Sequence, residues 1–281
     1  MKIKPQLLSF FLIGNSNKES TVKMGNDQPE WTVIYHAPGK FKGRGEFLRL
    51  MLEDAGITDY VNSDKECYGP KGVMDMFRGS PEAINADLDS NDDYVWPNLY
   101  PPSIHHQPPN GSNKEDQVFV NQVGACMIYL GDKLGYAPET HAEKARANSI
   151  LMNAIDYIAD GRASFHPVKN TMSYNDQKEE GDRVSKEFTQ DRMKKYLSHF
   201  NKIVHRAGSQ KPVAGGAHLT YADFALFHVL DATIAQFNTD YYDHVWDNLD
   251  VPDLKAFHQW MASRPNLAAY FQSDRCFREF V

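Results

Sequence analysis

The sequence predicts an α/β domain with a mixed sheet, followed by an all-helical domain. Runs typical of strands fall before Pro138, whereas apolar residues after Pro138 recur at three- and four-residue spacing, as in amphipathic helices. The chain has 281 residues, enough for two domains with separate cores. We predict an N-terminal extension over residues 1–30, the α/β domain over 31–134 and the helical domain over 139–281.

The α/β domain is predicted to begin with a strand at Trp31–Tyr35, a β-branched and aromatic run. Glycine and proline residues then form a loop, and an amphipathic helix runs from Arg44 to Ala55. The remaining elements are a strand near Tyr60–Val61, a largely irregular stretch over 62–100 with a short helix near Val73–Phe77, an edge strand at Pro101–His105, a hairpin turn at Asn110–Gly111, a returning strand at Val118–Val120 and a helix over Gln122–Leu134.

The helical domain is predicted to contain long helices over Ala142–Phe165 and Val184–Ala207, a buried helix over Phe224–Gln236 and a terminal helix over Asn266–Cys276. Thr220 and Asp223 have the spacing of a capping box, with aspartate in place of the usual glutamate. This cap would contribute about 1 kcal/mol and fix the start of the buried helix.

Composition excludes several classes of function. The formal charge is −7 and the basic residues form no stripe, which argues against nucleic-acid binding. The three cysteines, Cys67, Cys126 and Cys276, fit neither a disulfide framework nor a zinc site, and we predict no metal. No segment is long and apolar enough to span a membrane.

The first thirty residues allow two interpretations. Lys2 and Lys4 precede a short apolar run, Leu7–Ile13, which is typical of a weak signal peptide. The alternative is an extra strand or a disordered tail. We favour the alternative, because the few cysteines of the chain indicate a reducing compartment, and we predict a cytoplasmic location.

Four stretches, taken in order, resemble the cytosolic glutathione transferase family, and the resemblance covers roughly Trp31 to Arg275. They are Val33-Ile34-Tyr35 with Gly43-Arg44-Gly45-Glu46-Phe47-Leu48-Arg49-Leu50; Tyr100-Pro101-Pro102-Ser103-Ile104; Asn121-Gln122-Val123-Gly124-Ala125-Cys126-Met127-Ile128-Tyr129-Leu130; and the Thr220–Asp223 cap with Arg264-Pro265. The resemblance implies a thioredoxin-like N-terminal domain that binds glutathione, and a helical domain that completes the pocket for a small electrophile. It also implies a homodimer.

The first of these stretches resembles the tyrosine-using classes of the family, which implies that Tyr35 donates a hydrogen bond to the glutathione thiolate. Residues 36–46 contain no serine or cysteine that could replace it. The alternative is that Tyr35 only packs in the core. Arg44 corresponds to an arginine beside the thiolate; its alternative is a surface salt bridge with Glu46 or Asp54. Two lysines of the loop, Lys40 and Lys42, could each contact a glutathione carboxylate; the alternative, which we favour for each, is an ordinary solvated side chain.

The resemblance assigns the remaining glutathione contacts to Pro101, Pro102, Ser103, Gln122 and Val123. Pro102 corresponds to the family's cis proline, although Pro101 could be the cis residue. Pro101 has no amide hydrogen to donate to the cysteinyl part of glutathione. Val123 stands where the family has serine, so that only its backbone amide remains for the γ-glutamyl carboxylate.

Asp160 resembles the acidic residue that reaches the glutathione amine across the dimer interface. Asp156 is the competing candidate, and both could instead be solvated. The function that the resemblance implies is conjugation of glutathione to small electrophilic, apolar compounds. The alternatives are a glutathione-binding protein without catalysis, and a glutathione-dependent isomerase or peroxidase. The sequence does not distinguish the class within the family or the electrophile.

Overall fold

The computed structural model describes residues 29–36, 41–64, 72–73, 98–109 and 116–280, and every structural statement below concerns these residues. Several predictions lie outside them: the structure of the extension up to residue 28, the role of Lys40, the irregular stretch at 65–71 and 74–97, the turn at Asn110–Gly111, and all but the first residue of the short helix near Val73–Phe77.

The N-terminal part contains a four-stranded mixed sheet. The strands are β1 Trp31–Ile34, β2 Val61–Ser63, β3 Ser103–His106 and β4 Val118–Asn121, in the order β2-β1-β3-β4. β1 and β2 are parallel, whereas the β1–β3 and β3–β4 pairs are antiparallel. With the helical content after it, this sheet gives a thioredoxin-like domain joined to an all-helical one, as predicted.

The prediction that the strand after Pro101 is an edge strand is wrong. β3 lies between β1 and β4 and is buried along its whole length. Both prolines precede the strand, so that every residue from Ser103 to His106 has an amide hydrogen for pairing. β3 can therefore occupy a central position in the sheet.

Helix α1, Glu46–Asp54, connects the parallel strands β1 and β2, as a parallel connection requires. All nine of its residues are buried, because α1 packs against helices of both parts of the chain. The other helices are α2 Val123–Leu134, α3 His141–Phe165, α4 Lys178–Gln190, α5 Arg192–Ala207, α6 Tyr221–Phe237, α7 Val245–Asn248, α8 Pro252–Ala262 and α9 Pro265–Gln272.

The single helix predicted over 184–207 is wrong, because the chain bends at Asp191 and forms α4 and α5. The bend lets the two helices follow different partners: α4 packs against α3, whereas α5 packs mainly against α8. The capping box of Thr220 and Asp223 is confirmed at the start of α6. The Asp223 carboxylate accepts from the Thr220 amide at 2.7 Å and also from the Val213 amide at 2.8 Å, a contact that the sequence did not predict.

Acidic residues of α1 join the two parts of the chain through a buried hydrogen bond and two partly buried ion pairs. The bonds are Tyr270 Oη to Glu46 Oε1 at 3.0 Å, Arg275 Nε to Glu53 Oε1 at 2.9 Å, and Arg264 Nε to Asp54 Oδ1 at 2.7 Å. Each donor belongs to α9 or to a segment next to it. Helix α1, whose first turn borders the candidate site, is therefore held from the helical side at both of its ends. Among the described helices, none has the length and apolar character needed to cross a bilayer.

Candidate functional site

Tyr35 lies directly after β1, with its ring against the turn that begins α1. Its hydroxyl oxygen accepts a hydrogen bond from the Arg44 amide at 3.1 Å, and the side chain is partly exposed. Gly43 makes room for it: a Cβ atom there would lie 2.6 Å from the hydroxyl oxygen. A Cβ at Gly45 would lie 3.0 Å from the Tyr35 ring. The two glycines of the Gly-Arg-Gly turn therefore leave the space that the Tyr35 side chain occupies.

The bond from Arg44 determines what the Tyr35 hydroxyl can do. A phenol oxygen can accept one hydrogen bond while its hydrogen donates another. Hydrogen bonds in series polarise one another, so the amide makes the O–H group a better donor. Tyr35 can therefore donate to an anion placed at the end of β1.

The charged side chains around the turn do not form the salt bridges that were considered as alternatives for Arg44. Glu46 pairs with Arg49 at 2.7 Å, and Asp54 pairs with Arg264 at 2.7 Å, so the salt bridge of Arg44 with Glu46 or Asp54 is not formed. Arg44 itself is partly exposed beside Tyr35.

Lys42 is not a solvated lysine. It is buried, and its Nζ lies 2.6 Å from Asp231 Oδ2 of α6. Its ammonium group also faces the ring of Phe280, 4.8 Å from the centroid. Lys42 therefore ties the turn before α1 to the helical part of the chain, which leaves it unavailable as a carboxylate ligand in this arrangement.

The proline turn before β3 carries a cis peptide bond between Pro101 and Pro102, so Pro102 is the cis residue. Asn121, at the end of β4, holds this turn. Its Nδ2 donates to the carbonyl oxygens of Tyr100 and Pro102 and to Ser103 Oγ at 3.1 Å. The sequence did not predict this role for Asn121; its position directly before Gln122 was the available signal.

Gln122 stands between this turn and α2, in a backbone conformation that non-glycine residues rarely adopt. Its φ is 75° and its ψ is 125°, while its side chain is exposed. Strain of this kind costs on the order of 1–3 kcal/mol and concentrates at functional sites. The adjacent Val123 is the first residue of α2, and its amide lies among the helix amides that have no partner within the helix. The turn and α2 thus form a place suited to a carboxylate.

Asp160 pairs within its own chain. Its Oδ2 accepts from Arg192 Nε at 2.9 Å and from Tyr196 Oη at 3.4 Å. Asp156, one turn earlier on α3, is exposed. The role of Asp160 across a dimer interface stays a prediction, and it would require sharing the carboxylate with Arg192.

Arg162 of α3 was missed by sequence reasoning, although it is the helical residue that interacts electrostatically with both Tyr35 and Arg44. Burial lowers the pKa of Arg162, while the nearby Tyr35 raises it and Arg44 lowers it. Its Nη2 donates to the Asn170 carbonyl at 3.0 Å, and its Nη1 lies 3.2 Å from His166 Nε2. The available signal was its spacing of seven residues from Ile155, which places both on one face of α3.

His228 of α6 also reaches the turn, since its Nε2 donates to the Gly43 carbonyl at 2.9 Å. Burial lowers its pKa to about 3. Its Nδ1 is buried and has no hydrogen-bond partner among the described residues. Burial raises the pKa of the neighbouring Asp231, but His258 and Lys42 outweigh it and lower that pKa to about 2. The turn under Tyr35 is thus supported by a neutral histidine and an ion pair.

The described residues contain no group of three or more histidine, cysteine, aspartate or glutamate side chains that could hold a metal ion. The site consists instead of a phenol, an arginine and backbone groups at a strand end, a proline turn and a helix start. These groups suit an anionic ligand that carries a carboxylate.

Comparison with known proteins agrees with this geometry. Residues 163–274 match the family model described as glutathione S-transferase, C-terminal domain. Glutathione S-transferase 1 of Ascaris suum is 29% identical over 181 residues, which are 60% of this chain and 80% of the relative. Glutathione S-transferase 2 of Onchocerca volvulus is 30% identical over 155 residues, 55% of this chain and 65% of the relative.

Solved structures of similar proteins show the same fold. The Pi-class glutathione S-transferase of Onchocerca volvulus has a TM-score of 0.57 at 19% identity, over 86% of this chain and 92% of that protein. The sigma-class enzyme of Fasciola hepatica has a TM-score of 0.60 at 16% identity, over 86% and 95% of the two chains.

Proposed function

This chain belongs to the glutathione transferase family, and we propose that it conjugates the thiolate of glutathione to small electrophilic, apolar compounds. The observation that carries the proposal is the Tyr35 hydroxyl, partly exposed at the end of β1 and polarised by the Arg44 amide at 3.1 Å. In the reaction the sulfur forms a bond to carbon, and a leaving group such as halide departs with the bonding electrons.

The energy required matches one hydrogen bond. A thiol with a pKa of about 8.5 is mostly protonated at neutral pH, whereas the thiolate is the nucleophile. Lowering this pKa by about 2 units requires about 2.7 kcal/mol in favour of the anion. A hydrogen bond to a charged group contributes about 1.5–3 kcal/mol, so the Tyr35 hydroxyl is sufficient in magnitude. The charge of Arg44 acts in the same direction.

The remaining contacts hold the tripeptide. The Val123 amide and the start of α2 receive the γ-glutamyl carboxylate, beside the exposed Gln122. The Pro101 carbonyl and the turn at Pro102 and Ser103 pair with the cysteinyl part. In a homodimer, Asp160 reaches the amine of the glutathione bound by the other subunit. We place the protein in the cytoplasm, with a role in detoxification.

Replacing Tyr35 with phenylalanine should lower the rate of conjugation of an aryl halide by about tenfold, or about 1.4 kcal/mol. The change removes the donor to the thiolate and leaves the ring in its seat against Gly43 and Gly45. The measurement is kcat/KM with 1-chloro-2,4-dinitrobenzene at saturating glutathione. Tyr241→Phe is the matched control, because Tyr241 is exposed on the helical side. Equal activity of the two variants would remove Tyr35 from the mechanism.

Replacing Pro101 with valine should tighten glutathione binding by roughly three- to tenfold, the size of one ordinary hydrogen bond. Valine supplies the amide hydrogen that proline lacks, next to a carbonyl that is already present. Calorimetric titration with glutathione measures the dissociation constant directly. Pro109→Val, at an exposed position beyond β3, should leave it unchanged. Weaker or unaltered binding by the Pro101 variant would show that no cysteinyl amide contact is missing there.

Two observations favour a second candidate, a glutathione-binding protein without catalysis. Val123 provides no hydroxyl and Pro101 provides no amide hydrogen, so two contacts to glutathione are reduced. Retention on immobilised glutathione, together with no turnover of several electrophiles, would support this candidate over conjugation.

A further inference from the structure

Lys42 is a buried lysine whose amide, carbonyl and ammonium groups each have a partner from a different part of the chain. Its amide donates to the Glu279 carbonyl at 2.7 Å, near the C-terminal end of the described residues. Its carbonyl accepts from Arg49 Nη2 of α1 at 2.5 Å. Its ammonium group lies 2.6 Å from Asp231 Oδ2 of α6, and the two side chains are 10% and 25% exposed. The position of Lys42 is therefore fixed from three directions.

Two aromatic rings of the C-terminal part face the ammonium group of Lys42. Nζ lies 4.8 Å from the ring centroid of Phe280 and 5.7 Å from that of Phe271. An aromatic face attracts a cation at this distance, most strongly where water is excluded. The Phe280 ring is stacked on that of His228, with centroids 5.9 Å apart, and His228 donates to the Gly43 carbonyl at 2.9 Å. The C-terminal part therefore supports Lys42 and the residue after it together.

The Lys42–Asp231 pair is better suited to fixing a position than to stabilising the fold. Desolvation of two charges offsets their attraction, so apolar side chains of similar volume often replace a buried pair without loss of stability. The contact is nevertheless directional, since it holds Nζ against one carboxylate oxygen of a packed helix. Apolar side chains would not supply that direction. The pair therefore has the properties of a geometric constraint.

Residues on both sides of Lys42 contact Tyr35. The ring of Phe41 meets that of Tyr35 edge-on, with centroids 5.8 Å apart. A Cβ at Gly43 would lie 2.6 Å from the Tyr35 hydroxyl oxygen, and the Arg44 amide donates to that oxygen at 3.1 Å. A hydrogen bond weakens steeply as its geometry departs from the ideal, so a displacement of about 1 Å would break the bond from Arg44. The place of Lys42 therefore determines how the Tyr35 hydroxyl is held.

We infer that Lys42 is a positioning residue for Tyr35, and that Asp231 of α6 and Phe280 hold it in that role. The inference rests on the proposed function, because it concerns the tyrosine to which that proposal assigns the thiolate. Both holding contacts come from the helical part of the chain, which thereby influences a thiol bound at the end of β1. The Lys42 ammonium group is engaged by Asp231, so we expect the effect in the ionisation of the thiol and not in the affinity for the electrophile.

The test replaces the pair by apolar side chains, in the double variant Lys42→Met with Asp231→Leu, which leaves neither charge unpaired. The pKa of the thiol of bound glutathione, followed by the ultraviolet absorbance of the thiolate, should rise by about 0.5–1 unit. Near pH 6.5, kcat/KM for 1-chloro-2,4-dinitrobenzene should fall by about three- to tenfold, chiefly through kcat. The free energy of unfolding should stay close to that of the wild type. Phe280→Ala, which keeps both charges, should shift the thiol pKa in the same direction by a smaller amount.

Lys195 and Asp191 provide the matched control, because they also lie 2.6 Å apart but are 72% and 62% exposed. Lys195→Met with Asp191→Leu should leave the thiol pKa unchanged. In a Tyr35→Phe background, the substitutions of Lys42 and Asp231 should add little further shift, because the residue through which they act is absent. An unchanged thiol pKa in the double variant, or an equal shift in the Tyr35→Phe background, would overturn the inference.

Hydrogen exchange of the Arg44 amide, measured without glutathione, separates the inference from the proposed function. This amide donates to Tyr35, so Tyr35→Phe and the double variant of Lys42 and Asp231 should each speed its exchange by about tenfold. Faster exchange in the double variant, with a thiol pKa that does not respond to Tyr35→Phe, would contradict the proposed function and support the positioning of Tyr35. Exchange at the wild-type rate in the double variant would overturn the inference whatever the thiol pKa. If the double variant does not fold, Phe280→Ala decides by the same two measurements.

Discussion

Replacing Arg49 with methionine is expected to lower the free energy of unfolding by about 3–5 kcal/mol, because it leaves a buried carboxylate without its cation. Arg49 and Glu46 are each 1% exposed, and Arg49 Nε donates to Glu46 Oε2 at 2.7 Å. Burial lowers the pKa of Arg49, but Glu46, Tyr270 and Tyr60 together outweigh it, so that the pKa is raised. Without Arg49, the Tyr270 hydroxyl would be the donor left to Glu46.

Arg49 also holds the backbone of the Gly-Arg-Gly turn at residues 43–45. Its Nη2 donates to the Lys42 carbonyl at 2.5 Å, directly before Gly43, and its Nη1 donates to Asn62 Oδ1 at 3.2 Å. The Nη1 atom lies 2.8 Å from where a Cβ of Gly45 would be. Methionine fills similar space without these donors, so we expect conjugation to fall together with stability.

Urea denaturation with linear extrapolation measures the change in unfolding free energy. The chain offers a matched pair: Arg183 and Glu180 have the same three-residue spacing on α4 and lie 2.7 Å apart, but both are exposed. Arg183→Met should therefore have little effect. The double variant Arg49→Met with Glu46→Gln should recover part of the loss, since it removes the stranded charge. A loss no larger than that of Arg183→Met would show that this buried pair is not a source of stability.

The parts of the fold that the sequence predicted are those with local causes. The strand ending at Tyr35, helix α1 and the Thr220–Asp223 cap each depend on residues within a few positions of one another. The central place of β3 depends on which strands pair, which no local pattern fixes. No proline or glycine lies between Asp182 and Ala207, on either side of the bend at Asp191, and the bend follows from packing partners far along the chain.

The candidate site divides in the same way. Tyr35, Gln122 and Pro102 are recognisable because each stands at a strand end, a helix start or a proline turn. Lys42 was misread because its partner, Asp231, lies 189 residues later in the sequence. Arg162 and His228 come from helices of the other domain and reach the turn only through tertiary packing. Sequence spacing therefore predicts the groups that we propose to face glutathione, and it missed those that pack behind them.

Lowering the pH from about 6.5 to about 4 is expected to destabilise the wild type more than a His228→Gln variant, by about 3 kcal/mol over that range. The cause is the fully buried imidazole of His228, whose pKa is about 3 in the folded protein, against 6.5 when the side chain is exposed. Below pH 6.5 the imidazole of His228 is protonated in the unfolded chain but stays neutral in the folded chain. The contribution of the neutral imidazole to stability is thus fully present above pH 6.5 and is lost as the pH falls towards 3.

The geometry around His228 explains why its imidazole stays neutral in the folded state. Nε2 already donates to the Gly43 carbonyl, so a second proton would have to enter at Nδ1, which is buried without an acceptor among the described residues. The ring packs against Phe47, with centroids 4.4 Å apart, and the charges of Lys42 and Arg49 oppose a further cation. The charge of Asp231 favours protonation of His228. Asp231 is paired with Lys42, however, with 2.6 Å between Oδ2 and Nζ.

The difference between the two unfolding curves isolates His228 from other titrating groups. Asp223 has a pKa raised by burial to about 6, so its own contribution to stability increases as the pH falls below 6 and masks part of the loss in the wild type alone. That contribution is present in both proteins and cancels in the difference, which should grow by about 1.4 kcal/mol per pH unit below 6.5. The exposed His244, replaced by glutamine, should leave the profile parallel to that of the wild type. Parallel profiles for His228→Gln would mean that the folded protein accepts the proton, and that the His228–Gly43 bond supports the Gly-Arg-Gly turn without making it sensitive to acid.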